Sequence, residues 1–304
     1  MLALEDLPAL SLEQDNTLVA YPPLAETRRR ILLWAPPRSM STAFERSVMQ
    51  NSQVVVHHEL LADPFYFGVD RKPKPLDPAI ERSLLLRNTT YAKQLASMLA
   101  EGDSNGERVA GDRVTFSKEL SIYYQRERLP AATLAQYTHC FLIRRPDKVA
   151  RSFLRFAEKT GATDGGSTYF DADELGFVEL EQVYRVVTEE LHVATPVVID
   201  ADELVAAPEK VLRAWCRAVG LPFEGSMLKW QPLMPAQWEK WPGWHDEAAK
   251  SVGFMRQPHS HTPAAKSAAA GAAAAADAPL PEAAQRAVEM ATPIYEHLYA
   301  LRTR

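Results

Sequence analysis

A chain of 304 residues, 46% hydrophobic and 24% charged, has the make-up of a globular protein and can bury the core of one generous α/β domain. Its net charge of −5 excludes the broad basic field of a nucleic-acid binder, so an anionic ligand must be met by locally clustered arginines. No apolar run approaches the length of a membrane span, and the acidic stretch Met1 to Leu7 lacks a basic n-region, so a cytoplasmic protein without a membrane segment is expected.

Residues 1–27 mix prolines and acids without periodicity and read as an arm on the main domain, which is placed at 28–258. Ile31 to Trp34 is a short apolar run closed by Pro36 and Pro37, the pattern of a buried strand. Ala43, Phe44, Val48 and Met49 then fall at helical spacing, so a helix begins near Ser41. Gln53 to His57 is a second β-branched strand, leading into His58 and Glu59. Residues 68–79 hold three prolines and read as a loop or flap, followed by an amphipathic helix from Glu81 to Ala100 and a turn at 102–106.

A third strand ends near Lys118, and Tyr137 to Ile143 is a fourth. Pro146 and Asp147 then open a helix with proline at its first position and an acid in its first turn. The glycine- and acid-rich stretch 160–176 predicts an exposed loop, and Val178 to Leu191 a helix. Pro196 to Asp200 is a fifth strand, and Pro208 to Val219 a helix ended by Gly220. Residues 225–254 are rich in tryptophan, poor in period, and suited to cover a sheet edge or a site. The Ala/Pro-rich stretch 259–281 reads as a flexible linker or insert. The segment 282–304 returns to helical pattern, with Val288, Ile294, Leu298 and Leu301 as core candidates.

Apolar runs alternating with helices predict an α/β fold: a parallel β-sheet of about five strands with helices on both faces. Ligands in such sheets sit beyond the carboxyl ends of the strands. The loop at 36–42, the step His57-His58-Glu59, Lys118 and Arg144 all fall at those ends, so one crevice can gather them. Cys140 and Cys216 lie in apolar segments and predict buried free thiols. The eight histidines show no ligand spacing, and no metal is expected.

Pro37-Arg38-Ser39-Met40-Ser41-Thr42 aims backbone N–H groups, a helix dipole, hydroxyls and a guanidinium at one point, where an oxyanion belongs. It has no Gly-Lys pair, which weighs against a nucleotide kinase or hydrolase. The stretch resembles the 5′-phosphosulfate-binding loop of sulfotransferases, Pro-Lys/Arg-Ser-Gly-Thr/Ser-Thr/Ser. Met40 stands where that loop usually has glycine, so the chain must turn there without positive φ or under strain. Arg144, ending a strand, and Ser152, eight residues along the next helix, are similar to the family's 3′-phosphate motif. Phe254 and Arg256 resemble the segment that closes over the nucleotide.

The resemblance implies a P-loop-like sulfotransferase fold and a single co-substrate, 3′-phosphoadenosine-5′-phosphosulfate (PAPS). It implies transfer of a sulfuryl group to a hydroxyl or amine of a small-molecule acceptor, without a metal. Arg38 stands at the place of the family's catalytic lysine, and Lys118 is a second candidate cation. Leu120 occupies the position of the histidine base of cytosolic members, so the chain is closer to the glutamate-base branches. Glu59 is then the first candidate base, followed by His58 and His57, with an ion pair to Arg38 as the other use of Glu59. A non-catalytic nucleotide-binding relative is the alternative. No sequence feature specifies an oligomeric state.

Overall fold

In the computed structural model, strand β1 (Arg30–Ala35) alternates cleanly between two layers. Ile31, Leu33 and Ala35 join one apolar cluster and Leu32 and Trp34 the other, and all five are at most 1% exposed. That is the side-chain period of a strand covered on both faces. The structure describes residues 30–68, 89–99, 114–161, 163–164, 167–168, 170–239, 243–254 and 279–304. The expected arm at 1–27, most of the flap at 68–79, residues 81–88 of the helix expected from Glu81, the turn at 102–106 and Arg256 lie outside those residues. Most of the 259–281 stretch does too.

The other strands of the main sheet are β2 (Val54–His58), β3 (Val114–Leu120), β4 (Thr138–Ile143) and β5 (Val197–Asp200), and Thr163–Asp164 and Ser167–Thr168 pair separately as a short antiparallel ribbon. The main sheet is five-stranded, order β2-β3-β1-β4-β5, with every pairing parallel. The helices that matter to the packing and the site are α1 (Ser41–Val48), α2 (Ala62–Phe67), α3 (Tyr91–Leu99), α4 (Pro146–Thr160), α5 (Phe177–Arg185), α6 (Pro208–Val219), α7 (Asp246–Lys250) and α8 (Glu282–Ala300). On one face Phe44 of α1 meets Trp215 of α6 edge-on at 5.1 Å. On the other, Tyr184 of α5 meets Phe141 of β4 at 5.2 Å. From β1 the chain runs first to β2 and β3 on one side and only later to β4 and β5 on the other. The crevice of such a sheet opens where that direction reverses.

Three expectations need correction. The helix expected from Glu81 to Ala100 is not continuous: Thr89 and Thr90 are not helical, and the helix starts at Tyr91, where the Thr90 hydroxyl accepts from the Lys93 N–H at 3.2 Å. The stretch 160–176 is not simply an exposed loop: Ala172–Leu175 forms a 3-10 turn, and Leu175, 3% exposed, packs with Val149, Phe177 and Ala287. The acids around it disguise the apolar anchor. Leu301 is 48% exposed because α8 ends at Ala300, while Leu298 is fully buried and Val288 and Ile294 are half-buried. Beyond α8, Thr303 N–H donates to the Val198 carbonyl at 2.9 Å, and Val198 N–H donates to Thr303 Oγ1 at 3.2 Å, so the C-terminal residues lie along the outer edge of β5. Cys140 and Cys216 are buried free thiols, and burial pushes both up to about 12. Among the described residues no helix is long and apolar enough to cross a membrane.

Candidate active site

The loop between β1 and α1 makes its turn without glycine. Arg38 (φ 61°) and Met40 (φ 70°) both take the left-handed conformation, which for such side chains costs of order 1–3 kcal/mol each. Glu59 (φ 41°) is a third left-handed residue bordering the same space. The alternative of strain, rather than a turn without positive φ, is therefore the one observed at Met40. No side chain caps α1 and no acid sits in its first turn. Its leading N–H groups and positive dipole end are left facing outward.

They face a cavity of about 230 Å³ beyond the carboxyl ends of β1, β3 and β4, lined by residues that include Arg38, Thr42, Glu59, Lys118, Arg144 and His245. Arg38 Nε donates to Ser152 Oγ at 3.3 Å and a terminal N–H donates to the Trp244 carbonyl at 3.4 Å. The Phe156 ring lies 5.2 Å from the Arg38 guanidinium carbon. Arg144 donates to the Arg38 carbonyl at 2.8 Å, which ties the two arginine-bearing loops together. Burial lowers the pKa of both guanidiniums. Among the described residues neither forms an ion pair, and Arg144 Nε and the buried Ser39 Oγ have no hydrogen-bond partner. Two half-buried cations and unspent donors around one hollow suit an oxyanion.

The opposite wall is closed upon itself. The β2–β3 register sets His58 beside Lys118, and Glu59 N–H donates to the Lys118 carbonyl at 2.9 Å. The Lys118 ammonium pairs with Glu59 Oε1, and the Tyr123 hydroxyl donates to Oε2 at 2.9 Å. Burial alone would raise the Glu59 pKa, but Lys118, then His58 and His245, hold it well below the usual carboxylate range. On the same strand Glu119 accepts from the Leu60 and Leu61 N–H groups at 2.9 and 3.2 Å. Burial, with the Glu59 charge adding, pushes the Glu119 carboxyl well up. Neighbouring residues of β3 thus grip the turn after β2 through side chain and backbone.

Behind Glu59, His58 Nδ1 lies 2.7 Å from Glu45 Oε2, and Trp238 Nε1–H donates to the other Glu45 oxygen at 3.1 Å. His58 Nε2 lies 3.2 Å from His245 Nε2, and His245 Nδ1 lies 3.4 Å from Thr42 Oγ1. Burial pushes the His245 pKa down to about 3, with His58 adding to the effect.

Most of the expected residues meet here. Pro37, Arg38, Met40, Ser41, Thr42, Arg144 and Ser152 line the cavity together with Glu59, Lys118 and Phe254, while Ser39 is buried beneath it. Phe254 is 3% exposed with its ring edge-on to Trp230 at 5.2 Å. His58 sits behind the lining, and His57, 1% exposed, is enclosed in the sheet. The expected alternative pairing of Glu59 with Arg38 is not what forms, because β3 delivers Lys118 to that carboxylate. His245, Glu45, Tyr123 and Trp244 were not singled out by the sequence as site residues; the only signal was the aperiodic tryptophan-rich stretch that carries two of them. The sequence shows no metal-ligand spacing, yet the fold brings one potential ligand atom each from His58, Glu59 and His245 within 4.8 Å of one another.

The profile of the family described as "Sulfotransferase domain" matches residues 29–277. Two curated relatives from Arabidopsis thaliana, "Branched-chain-amino-acid aminotransferase-like protein 2" and "protein 1", are each 28% identical over 241 and 232 residues. The matches take in 73% of this chain but only 35% and 36% of those proteins, so the chain spans about a third of their length. Among solved structures, the "Sulfotransferase Domain from the Synechococcus PCC 7002 Olefin Synthase" is 17% identical with a TM-score of 0.48, covering 91% of this chain and 98% of that one. The "Sulfotransferase Domain from the Curacin Biosynthetic Pathway" is 16% identical with a TM-score of 0.42, covering 86% and 97%.

Proposed function

The chain belongs to the sulfotransferase domain family, and from that premise we propose that it moves a sulfuryl group from PAPS to the hydroxyl, or amine, of a small-molecule acceptor. The observation that supports this reading is that Arg38 and Arg144, from two loops 106 positions apart, converge on one cavity, with Arg144 Nε left without a partner. A bisphosphate nucleotide presents two anionic ends, and two separate cationic grips answer that shape.

In this reading the α1 N-terminus, Ser41, Thr42 and Arg38 hold the phosphosulfate end, while Arg144 and Ser152 take the 3′-phosphate. Phe254 and Arg256 are assigned to the nucleotide as well. Positioning and fixed positive charge do most of the work, because the bond that breaks leaves charge on a phosphate already held. Lys118 is the second cation. Glu59 is assigned the acceptor's proton, with His58 next; to accept it Glu59 must give up part of its contact with Lys118. The two free thiols suit a reducing compartment, and the cytoplasm is the proposed setting.

One observation favours a second reading, a nucleotide-binding protein without turnover: both oxygens of Glu59 are already engaged. Calorimetric titration separates the cases. Adenosine 3′,5′-bisphosphate is expected to bind and ATP to bind far more weakly; tight binding of ATP alone rejects the donor assignment. Sulfate transfer from labelled PAPS to a panel of hydroxyl and amine acceptors then decides between enzyme and binding protein.

A further inference from the structure

The pair of imidazoles behind Glu59 is arranged in a way that sulfuryl transfer does not call for. His58 Nε2 and His245 Nε2 lie 3.2 Å apart, yet the ring centroids are only 4.7 Å apart, with planes at 85°. Nitrogens meeting head-on would hold the centroids farther apart than that. The two ring axes are therefore not collinear, which leaves room for both nitrogens to turn toward one ion beside them. Zinc–nitrogen bonds of about 2.0–2.1 Å at a tetrahedral angle put two ligating nitrogens about 3.3 Å apart. Glu59 Oε1 lies 3.9 Å from His58 Nε2, close enough to supply a third ligand after a small closure.

The surroundings match what such ligands need. Metal-binding histidines usually give their other ring nitrogen to a fixed polar partner. Here His58 Nδ1 faces Glu45 Oε2 at 2.7 Å and His245 Nδ1 faces Thr42 Oγ1 at 3.4 Å, while Trp238 holds the second oxygen of Glu45. All three ligand residues are buried, and since His245 and Glu59 line the cavity, a fourth position opens into it. Two imidazoles and one carboxylate select zinc-like ions over magnesium or calcium, which take all-oxygen shells.

We infer that His58, His245 and Glu59 form a binding site for a divalent cation of the zinc class, and that this cation competes with Lys118 for Glu59. The ammonium and the ion need the same carboxylate oxygen, and two cations at that separation repel strongly. Binding therefore displaces Lys118, fixes Glu59 and closes the wall of the cavity opposite the two arginines. The site is an inhibitory one, and its occupancy is measured without any acceptor.

The test uses the full chain after treatment with a chelator. Zinc affinity is read by competition with a chromogenic chelator, and cobalt by the visible absorption of a tetrahedral ion. Wild type is expected to bind one ion that His245→Ala loses, while Glu45→Gln weakens it about 10–100-fold through the outer contact. The sequence also carries His259 and His261, so a variant with both changed to alanine serves as control and keeps the ion. Lys118→Met is expected to show a larger zinc-induced rise in melting temperature than wild type, because the competitor is gone. Melting curves and bisphosphate titration confirm that each variant is folded. The inference is overturned if wild type and His245→Ala hold zinc equally, or if Lys118→Met gains no more from zinc than wild type does. Bisphosphate binding without zinc binding sinks this inference alone, and the reverse result sinks only the donor reading.

Discussion

The two walls of the cavity treat their polar groups in opposite ways. On the α1 side, Arg144 Nε, Ser39 Oγ and the uncapped helix start keep donors unspent. On the β2–β3 side, Glu59, Lys118, Tyr123, His58, Glu45 and His245 are matched to one another. The first wall is incomplete without an anion; the second is complete and must be opened. A rigid donor grip facing a wall that has to exchange partners is the contrast that the following changes probe.

The largest expected effect lies on the closed wall. Lys118→Met leaves the buried Glu59 carboxylate without its cation, and breaking such a pair from one side costs about 3–5 kcal/mol in denaturant unfolding. Replacing both partners together, Lys118→Met with Glu59→Leu, is expected to recover much of that loss; no recovery means that the pair is not the origin.

A reference site away from the cavity calibrates the acid response. His139 accepts from Trp34 Nε1–H at Nδ1 (3.2 Å) and donates from Nε2 to the Leu134 carbonyl (2.9 Å), and burial pushes its pKa down to about 4. The unfolded chain binds the extra proton first, so this stability is present above about pH 6.5 and is lost as the pH falls toward 4. At about 1.4 kcal/mol per unit, the loss reaches about 3 kcal/mol. His139→Gln is expected to flatten the curve of melting temperature against pH in that window; an unchanged slope assigns the acid response to the cavity instead.

On the open wall, Arg144→Ala is expected to weaken bisphosphate binding by about 2 kcal/mol or more, roughly thirtyfold by calorimetry, with little change in melting temperature. The smallest effect is Met40→Gly. Removing the left-handed strain is expected to stabilise the fold by about 1 kcal/mol, partly offset by the entropy of glycine. A loss of stability there means that the Met40 side chain contributes more by packing than its backbone costs.

Where the sequence was readable, the signal was local. The run from Ile31 to Thr42 and the step from Phe141 to Ser152 each carry a strand end, a turn and a helix start within about a dozen residues, and both reach the cavity. The Glu59–Lys118 pair depends on β2 lying beside β3 in one register, across 59 positions, which no local pattern encodes. His245 meets His58 across 187 positions from a stretch without periodicity, so neither spacing nor period could reveal it. The errors at 160–176 and Leu301 share a cause. One apolar residue among acids, or one just past a helix end, has its burial decided by its neighbours in space.

Thr303 lies against the margin of β5, an edge strand of the sheet among the described residues, with one backbone and one hydroxyl bond to Val198. Arg302 anchors that stretch through Glu203 at 2.6 Å and the Tyr299 ring at 3.8 Å. An unguarded margin of this kind is a template for a strand from another molecule. Trimming the final three residues would therefore register less in the cavity than in the company the protein keeps: self-association in concentrated solution, with donor binding intact.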